Sequence, residues 1–479
     1  MDLLERLRAH HEEGYLSLHM PGHKEAAGLA PYLAALGAEL DITELPGFDD
    51  LHDAEGVLKE SMDRAARLWH SRASLFQVNG STGALLAAVR AATRRGDTIV
   101  MARHCHKAIY HAVELCGLTP VYLLPPVEED FGVTGSVTPE LVAAALAAHP
   151  EATLVVYPSP TYDGVLSDTA GICAAAHAHG AAVLVDEAHG AHLGLAPEFP
   201  RNAMQAGADL AAASLHKLLP SLTQTAILHV SGRGPTVAEV TRQTGIFQSS
   251  SPSYLLMASM DGCVRLLEER GAALFAAWAA RLRDFDERAR GLRHLRLLGH
   301  GAEAGRRYDG VWGLDPSKIL ISTRGSALTG VALKEILRRD HRIELEMALD
   351  HYAVAMTGLG TGDDMPQRLA DALLAIDAQY GPAPDGARPI HAVGQLPPRR
   401  CSIEEAAMGR SGLGPLAEAV GAVAAEYLWA YPPGIPLVTP GEEVTEDLVR
   451  TVERLHRAGV RLIGTRGKPP RTIATLQGD

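Results

Sequence analysis

The chain has 479 residues, is 47% hydrophobic and 21% charged, and carries a formal net charge of −13. That length exceeds one ordinary core and implies two or three domains. The acidic balance, with no Lys/Arg block longer than three residues, excludes a nucleic-acid footprint. No run of 18 consecutive apolar residues occurs, so no membrane-spanning helix is expected.

The N-terminus, "MDLLERLRAHHEEGYLSLHMPGHK", lacks the unbroken apolar core of a signal peptide. Cys105, Cys116, Cys173, Cys263 and Cys401 are scattered, with no CxxC pair. Neither a disulfide framework nor a zinc site is indicated, and a reduced, cytoplasmic enzyme is expected. From Lys59 onward helices and strands alternate. "KESMDRAARLWHS" is a predicted helix, "ASLFQV" a strand and "STGALLAAVRAATRRG" a helix. "DTIVMA", "TPVYLLP" and "TLVVYP" are strands, separated by the helices "KAIYHAVELCG" and "TPELVAAALAAHP". The helix "TAGICAAAHAHG" follows, then the strands "AAVLVDEA", "ADLAAAS" and "TAILHV". Short apolar strands between amphipathic helices signify a largely parallel sheet covered on both faces.

Near Ser253 to Leu292 the pattern becomes one long helix or a helix pair. "DPSKILIST" and "LTGVALKEILRRDH" restart a strand–helix alternation, predicting a smaller C-terminal α/β domain. A Pro/Gly/Arg-rich segment, "YGPAPDGARPIHAVGQLPPRR", precedes a final part expected to be helical. The expected division is a segment 1–58, a large domain 59–300 and a C-terminal domain 301–479.

In a doubly wound sheet ligands bind at the carboxyl ends of the strands, and unusual residues fall there. Asn79-Gly80-Ser81-Thr82-Gly83 opens a helix, where glycines allow close backbone approach and the helix N-terminus favours an anion. An ordinary strand–helix turn with a serine cap is the alternative. Asp186 ends an apolar strand as a helix cap, a metal ligand or the partner of a buried cation. Ser214, His216 and Lys217 end the next strand, and Lys217 is a lone basic side chain among small apolar residues. Histidines recur at 104 and 106, 177 and 179, and 189 and 192, but no carboxylate pattern accompanies them and no HExxH occurs, so no metal is expected. A phosphate cradle, a strand-end aspartate, a histidine able to stack and a solitary lysine meet the needs of a pyridoxal-phosphate site. The lysine supplies an amine for a Schiff base, and the aspartate keeps the pyridine nitrogen protonated.

With these residues in place, the chain resembles the bacterial ornithine/lysine/arginine decarboxylases. The resemblance runs through nine ordered motifs: "HMPGHK" (19–24), "DITELPGFDDLHDAEG" (41–56), "VNGSTGA" (78–84), "HCHKAIYHA" (104–112), "PTYDG" (160–164), "VDEAHGAH" (185–192), "SLHK" (214–217), "SSSPSYLLMASMD" (249–261) and "YPPGIPLVTPGE" (431–442). It implies the aspartate-aminotransferase fold (fold type I), a three-layer α/β sandwich with a mostly parallel sheet and a smaller C-terminal α/β domain. It implies pyridoxal 5'-phosphate as cofactor and decarboxylation of a basic L-amino acid. Arginine is favoured over lysine and ornithine, with a place in polyamine biosynthesis.

By the same resemblance Lys217 would carry the cofactor, Asp186 would pair with its pyridine nitrogen, and Ala188 would pack beneath the ring. His106 would stack on the opposite face. Ser81, Thr82, Ser214 and His216 would hold the phosphate, and Ser250 would reach the phosphate of a neighbouring subunit in a homodimer or higher oligomer with shared active sites. His189 is placed to contact the phenolic oxygen or the substrate carboxylate. Glu344, Glu346, Asp49 and Asp50 are candidates for recognising the substrate's distal cation.

Two departures stand out. The N-terminal wing domain of longer relatives is expected to be absent, because "HMPGHK" begins at His19. Ala422, in an expected helix "EAVGAVAAEYLWA", stands where many relatives have a basic residue. Rival readings are another fold-type-I enzyme (aminotransferase, aldolase or desulfurase) and a non-catalytic cofactor-binding regulator.

Overall fold

A computed structural model describes residues 2–25, 28–383, 396–431, 435–457 and 459–477. The chain forms two compact units. One comprises Met1–Ala92, Ala182–Ala277 and Gly358–Gly360; the other Thr93–Ala181, Trp278–Thr357 and Thr361–Asp479.

In the first unit four strands lie side by side in the order Ala73–Gln77, Ala226–Val230, Leu210–Ser214 and Ala182–Asp186. The first two junctions are antiparallel and the last is parallel, with Asp186 opposite Ala212. Every residue of Leu210–Ser214 and Ala226–Val230 is buried, as a strand covered on both faces requires. The helix Gly80–Ala92 is rich in alanine, and these small side chains allow close packing with the helix Val237–Phe247. Because Ala182–Asp186 and Leu210–Ser214 run parallel, Asp186 and Ser214 emerge at the same end of the sheet. This is the end at which such sheets bind ligands.

The second unit contains the parallel strands Leu154–Pro158, Thr98–Ala102 and Thr119–Leu123 in that order. The helices Lys107–Cys116, Pro139–Ala148 and Thr169–Ala178 connect with them in sequence. A second, antiparallel sheet of four strands includes Lys318–Ser322 and Tyr352–Met356, and the helix Gly330–His341 contacts it. The segment expected as a helix or helix pair is one continuous helix, Tyr254–Ala289.

The last part of the chain differs from expectation. Among the described residues it mixes five strands, Ser411–Pro415, Leu428–Tyr431, Ile435–Val438, Arg461–Gly464 and Thr472–Leu476, with two α-helices, Ile403–Met408 and Glu446–Arg457. Gly421 adopts φ +85°, which stops a helix across residues 418–430. The N–H groups of Ala424 and Ala425 then bond to Glu442 and Ala474 instead of to a preceding helical turn. Leu416, Leu428, Val438, Val452 and Ile473 close a separate small core. Pro432, Pro433 and Gly434 of "YPPGIP" lie outside the described residues.

Candidate active site

The turn after the first strand is built on backbone. Gly80 has φ +68° and donates its N–H to the Gln224 carbonyl at 2.9 Å. A Cβ on Gly83 would stand 3.0 Å from Asn79 Cβ and 3.5 Å from the Phe247 carbonyl oxygen. Side chains at both positions would therefore disturb the helix entry. Ser81 is half-buried and Thr82 exposed in the first turn of the 13-residue helix, where backbone N–H groups lack helical acceptors.

Asp186 is buried, and its Oδ1 accepts the Ala188 N–H at 3.2 Å. Burial raises its carboxyl pKa, while the charge of Lys217 and the Ala188 hydrogen bond oppose the rise. The adjacent Glu187 serves a different purpose. Its buried carboxyl accepts the Ala203 N–H at 2.8 Å, and burial pushes its pKa up to about 8. The sequence reading missed Glu187. The available signal was two successive carboxylates leaving one buried strand, which must diverge to opposite faces.

Ser214 ends its strand and precedes the short helix Leu215–Leu218. Its hydroxyl is fully buried and lacks a hydrogen-bond partner. His216 Nδ1 donates to the Thr225 carbonyl at 2.8 Å, and burial lowers this ring's pKa. Lys217, half-buried, places Nζ 2.9 Å from His189 Nε2. His189 itself is buried, as is Ala188. The structure thus gathers Asp186, Ala188, His189, Ser214, His216 and Lys217 around two neighbouring strand ends. It also assigns His189 a contact that the sequence did not: the lysine amine.

Ser250 is exposed in the turn between the helices Val237–Phe247 and Tyr254–Ala289. In the second unit His106 is the N-cap of Lys107–Cys116, its Nδ1 accepting the Ala108 N–H at 3.2 Å. Among the described residues no group of three or more His, Cys, Asp or Glu side chains is arranged to hold a metal ion. No helix among them is long and apolar enough to cross a membrane.

The carboxylates considered for substrate recognition have local employment. Asp49 accepts the N–H groups of Gly56 at 2.8 Å, Glu55 at 2.9 Å and Leu58 at 3.1 Å, capping the helix Val57–Leu68. Asp50 accepts the His52 N–H at 2.8 Å. Glu344 pairs with Arg338 on the surface, and the exposed Glu346 accepts the Tyr162 hydroxyl. Asp49's carboxylate is thus already shared among several backbone N–H groups.

Comparison with known proteins identifies the chain's family and fold. Residues 2–297 match the model of the Orn/Lys/Arg decarboxylase major domain, and residues 396–460 that of the family's C-terminal domain. An arginine decarboxylase of Bacillus anthracis is 30% identical over 480 residues, covering 99% of this chain and 97% of that protein. An arginine decarboxylase of Bacillus subtilis is 31% identical over 466 residues, covering 96% and 94%. Among solved structures, a Francisella novicida lysine decarboxylase superposes with a TM-score of 0.83 at 20% identity, covering 99% of this chain and 81% of that one. An alanine–glyoxylate aminotransferase from Nostoc sp. superposes with a TM-score of 0.55 at 16% identity, over 72% of this chain and 92% of that one. The last two likenesses bear out the α/β aminotransferase-type fold with its smaller C-terminal part. By sequence and by fold, the chain belongs to the Orn/Lys/Arg decarboxylase family.

Proposed function

We propose that the protein removes the α-carboxyl group of L-arginine to give agmatine, with pyridoxal 5'-phosphate held on Lys217. The observation that carries the reading is the cluster at the strand ends: an amine, a buried carboxylate and an unpaired buried hydroxyl on adjacent parallel strands. Arginine is preferred to lysine and ornithine because the full-length relatives at about 30% identity are named arginine decarboxylases. A role in polyamine biosynthesis follows from that product.

The residues fit the cofactor. The Ser214 hydroxyl, orphaned within the protein, is a ready phosphate partner, and His216 flanks it. Ser81 and Thr82 add hydroxyls at a helix N-terminus, which favours an anion. Asp186 would accept a hydrogen bond from a protonated pyridine nitrogen, and the small Ala188 would leave room for the ring. When bound, pyridoxal phosphate supplies an electron sink for the pair released as CO₂ departs.

The chain's own contribution is proton handling and charge. Lys217 must shed a proton before its amine can act as a nucleophile, and His189 Nε2 at 2.9 Å is within reach to take it. His189 can return that proton when Lys217 later donates one to the product carbon. The burial of Asp186 strengthens its field on any cation beside it, since less water screens the charge. His106 would cover the ring face opposite Ala188, and Ser250 would serve a partner subunit's phosphate.

A homodimer accords with the first unit's N-terminal segment, where Tyr15, Leu16, Leu18, Met20, Tyr32 and Leu36 are each at least 65% exposed. Such a concentration of apolar surface favours a second copy as its cover. We place the protein in the cytoplasm, in keeping with five free cysteines. Residues 1–58 would serve the dimer and active site, 59–300 the cofactor domain and 301–479 the C-terminal domain.

The test is incubation of the cofactor-loaded protein with L-arginine, L-lysine and L-ornithine in separate reactions, followed by mass spectrometry. Agmatine as the dominant amine supports the proposal. Dominant cadaverine or putrescine would reassign the substrate, and no amine from any of the three would overturn the reading.

A further inference from the structure

Within the first unit, the two halves of the proposed phosphate cradle follow strands that are not neighbours in the sheet. Ala73–Gln77 leads to Ser81 and Thr82, and Leu210–Ser214 leads to His216. Between them runs Ala226–Val230, antiparallel to both. Its first residue, Ala226, lies opposite Gln77 on one side and Ser214 on the other. The middle strand therefore begins where its neighbours end, and the residues just before it meet both turns.

Two consecutive carbonyls use that position. The Gln224 carbonyl accepts the Gly80 N–H at 2.9 Å, at the entry to the Ser81–Thr82 turn. The Thr225 carbonyl accepts the Leu215 N–H at 3.2 Å and the His216 Nδ1–H at 2.8 Å. One carbonyl thus holds each half. Gln224 reaches this arrangement at φ +84°, a left-handed backbone that a residue with a Cβ rarely adopts. Such strain persists only where the surroundings over-determine it.

Three hydroxyls supply that constraint. The buried Thr225 places Oγ1 2.8 Å from Ser221 Oγ and 2.8 Å from the Leu222 carbonyl. Ser221 Oγ is 3.1 Å from Ser259 Oγ, which donates to the Leu256 carbonyl at 2.8 Å and accepts the Leu222 N–H at 3.3 Å. A hydroxyl has one proton to donate. With Ser259 donating to a carbonyl, Ser221 donates to Ser259, and the loop 221–225 is tied to the long helix Tyr254–Ala289.

We propose that Thr225, Ser221 and Ser259 are positioning residues for the cofactor's phosphate: through the Gln224 and Thr225 carbonyls they set the spacing between the two halves of the cradle. This inference rests on the reading that Ser81, Thr82, Ser214 and His216 hold that phosphate. The three hydroxyls act on it through the backbone. Hydrogen bonds weaken steeply as their angle closes, so a small shift of one half against the other costs contacts to the anion.

The experiment uses the full-length protein stripped of cofactor. It measures the dissociation constants of pyridoxal 5'-phosphate and of pyridoxal, which lacks the phosphate, alongside Tm. Variants are Thr225→Val, Thr225→Ser, Ser259→Ala, the double variant Thr225→Val with Ser259→Ala, and Ser214→Ala. Thr225→Val is expected to raise the dissociation constant of pyridoxal phosphate about fivefold and to leave that of pyridoxal unchanged. Ser259→Ala should act in the same direction, and Thr225→Ser, which restores the hydroxyl, should keep wild-type affinity. The double variant should lose less than the product of the two single losses, because both break one chain. If Thr225→Val does not fold, Ser259→Ala carries the test from the helix end. Equal losses for both ligands would overturn the positioning role. So would unchanged affinities in Thr225→Val and Ser259→Ala beside a phosphate-specific loss in Ser214→Ala, which would leave the cradle standing. No phosphate-specific loss in Ser214→Ala would overturn the cradle and this inference with it.

Discussion

Lys217 Nζ and His189 Nε2 are 2.9 Å apart, although 28 residues separate them in the chain. The contact joins the ends of two parallel strands and sets an imidazole nitrogen within hydrogen-bond reach of the lysine amine. Lys217→Ala is expected to lower kcat by at least about 10³-fold, and His189→Phe by about 10²-fold. The two should differ in borohydride trapping: reduction fixes the cofactor to the protein in His189→Phe and not in Lys217→Ala. Peptide mass spectrometry of the reduced protein checks this. Trapping in Lys217→Ala would identify another lysine as the attachment point.

Asp186 owes its elevated pKa first to burial, and the nearby Lys217 charge restrains the rise. A raised carboxyl pKa means that the charge is lost at a higher pH than usual as the solution is acidified. Removing the lysine charge should raise this pKa further. In Lys217→Ala apoprotein, carboxyl-carbon NMR should therefore show Asp186 titrating at a higher pH than in the wild type. Asp186→Asn, which keeps the shape and removes the charge, should lower kcat by about 10²–10³-fold. Unaltered kcat would show that the carboxylate charge plays no part in the reaction.

Glu187 offers a stability test separate from catalysis. Burial lifts its pKa from the ordinary 4.5 to about 8. Between those pH values the folded protein retains a proton that the unfolded chain has released, so Glu187's contribution to stability falls as pH rises from about 4.5 to about 8. Glu187→Gln has no such proton to lose. The difference in Tm between variant and wild type should move in favour of the variant across that window. Parallel Tm curves would refute the assignment.

Glu426 is the keystone of the C-terminal core. Its buried carboxylate accepts the N–H groups of Arg466 at 2.6 Å, Gly467 at 2.9 Å and Ala474 at 2.6 Å. Glu426→Ala leaves three backbone donors without their acceptor and should cost about 3 kcal/mol or more. Chemical denaturation with a fluorescence probe measures the loss. Glu426→Gln retains one acceptor oxygen and should fall between the two.

Much of the first 300 residues was legible because buried strands have a simple signature. "TIVMA", "LVVYP" and "AVLVD" are short apolar runs bounded by turns, and each forms its expected strand. Residues 418–430 were misjudged as helix because alanine-rich local propensity is weak evidence beside tertiary hydrogen bonds. There the backbone donors found partners in remote strands, and Gly421 broke the helical path.

The sequence by itself determined which residue types stand at the strand ends: Asp186 after "AVLV", Ser214 to Lys217 after "LAAA", and the glycine turn before Ser81. Local pattern suffices there because side-chain alternation and chain reversal are short-range properties. Only the tertiary structure decided how those groups are used. It set His189 against Lys217, turned Glu187 away from Asp186, spent Asp49 on a helix cap, and paired Arg103 with Glu442 across 339 positions of sequence. Such contacts depend on the parallel alignment of strands and on the desolvation of each charge. Neither is encoded in any one stretch of the chain.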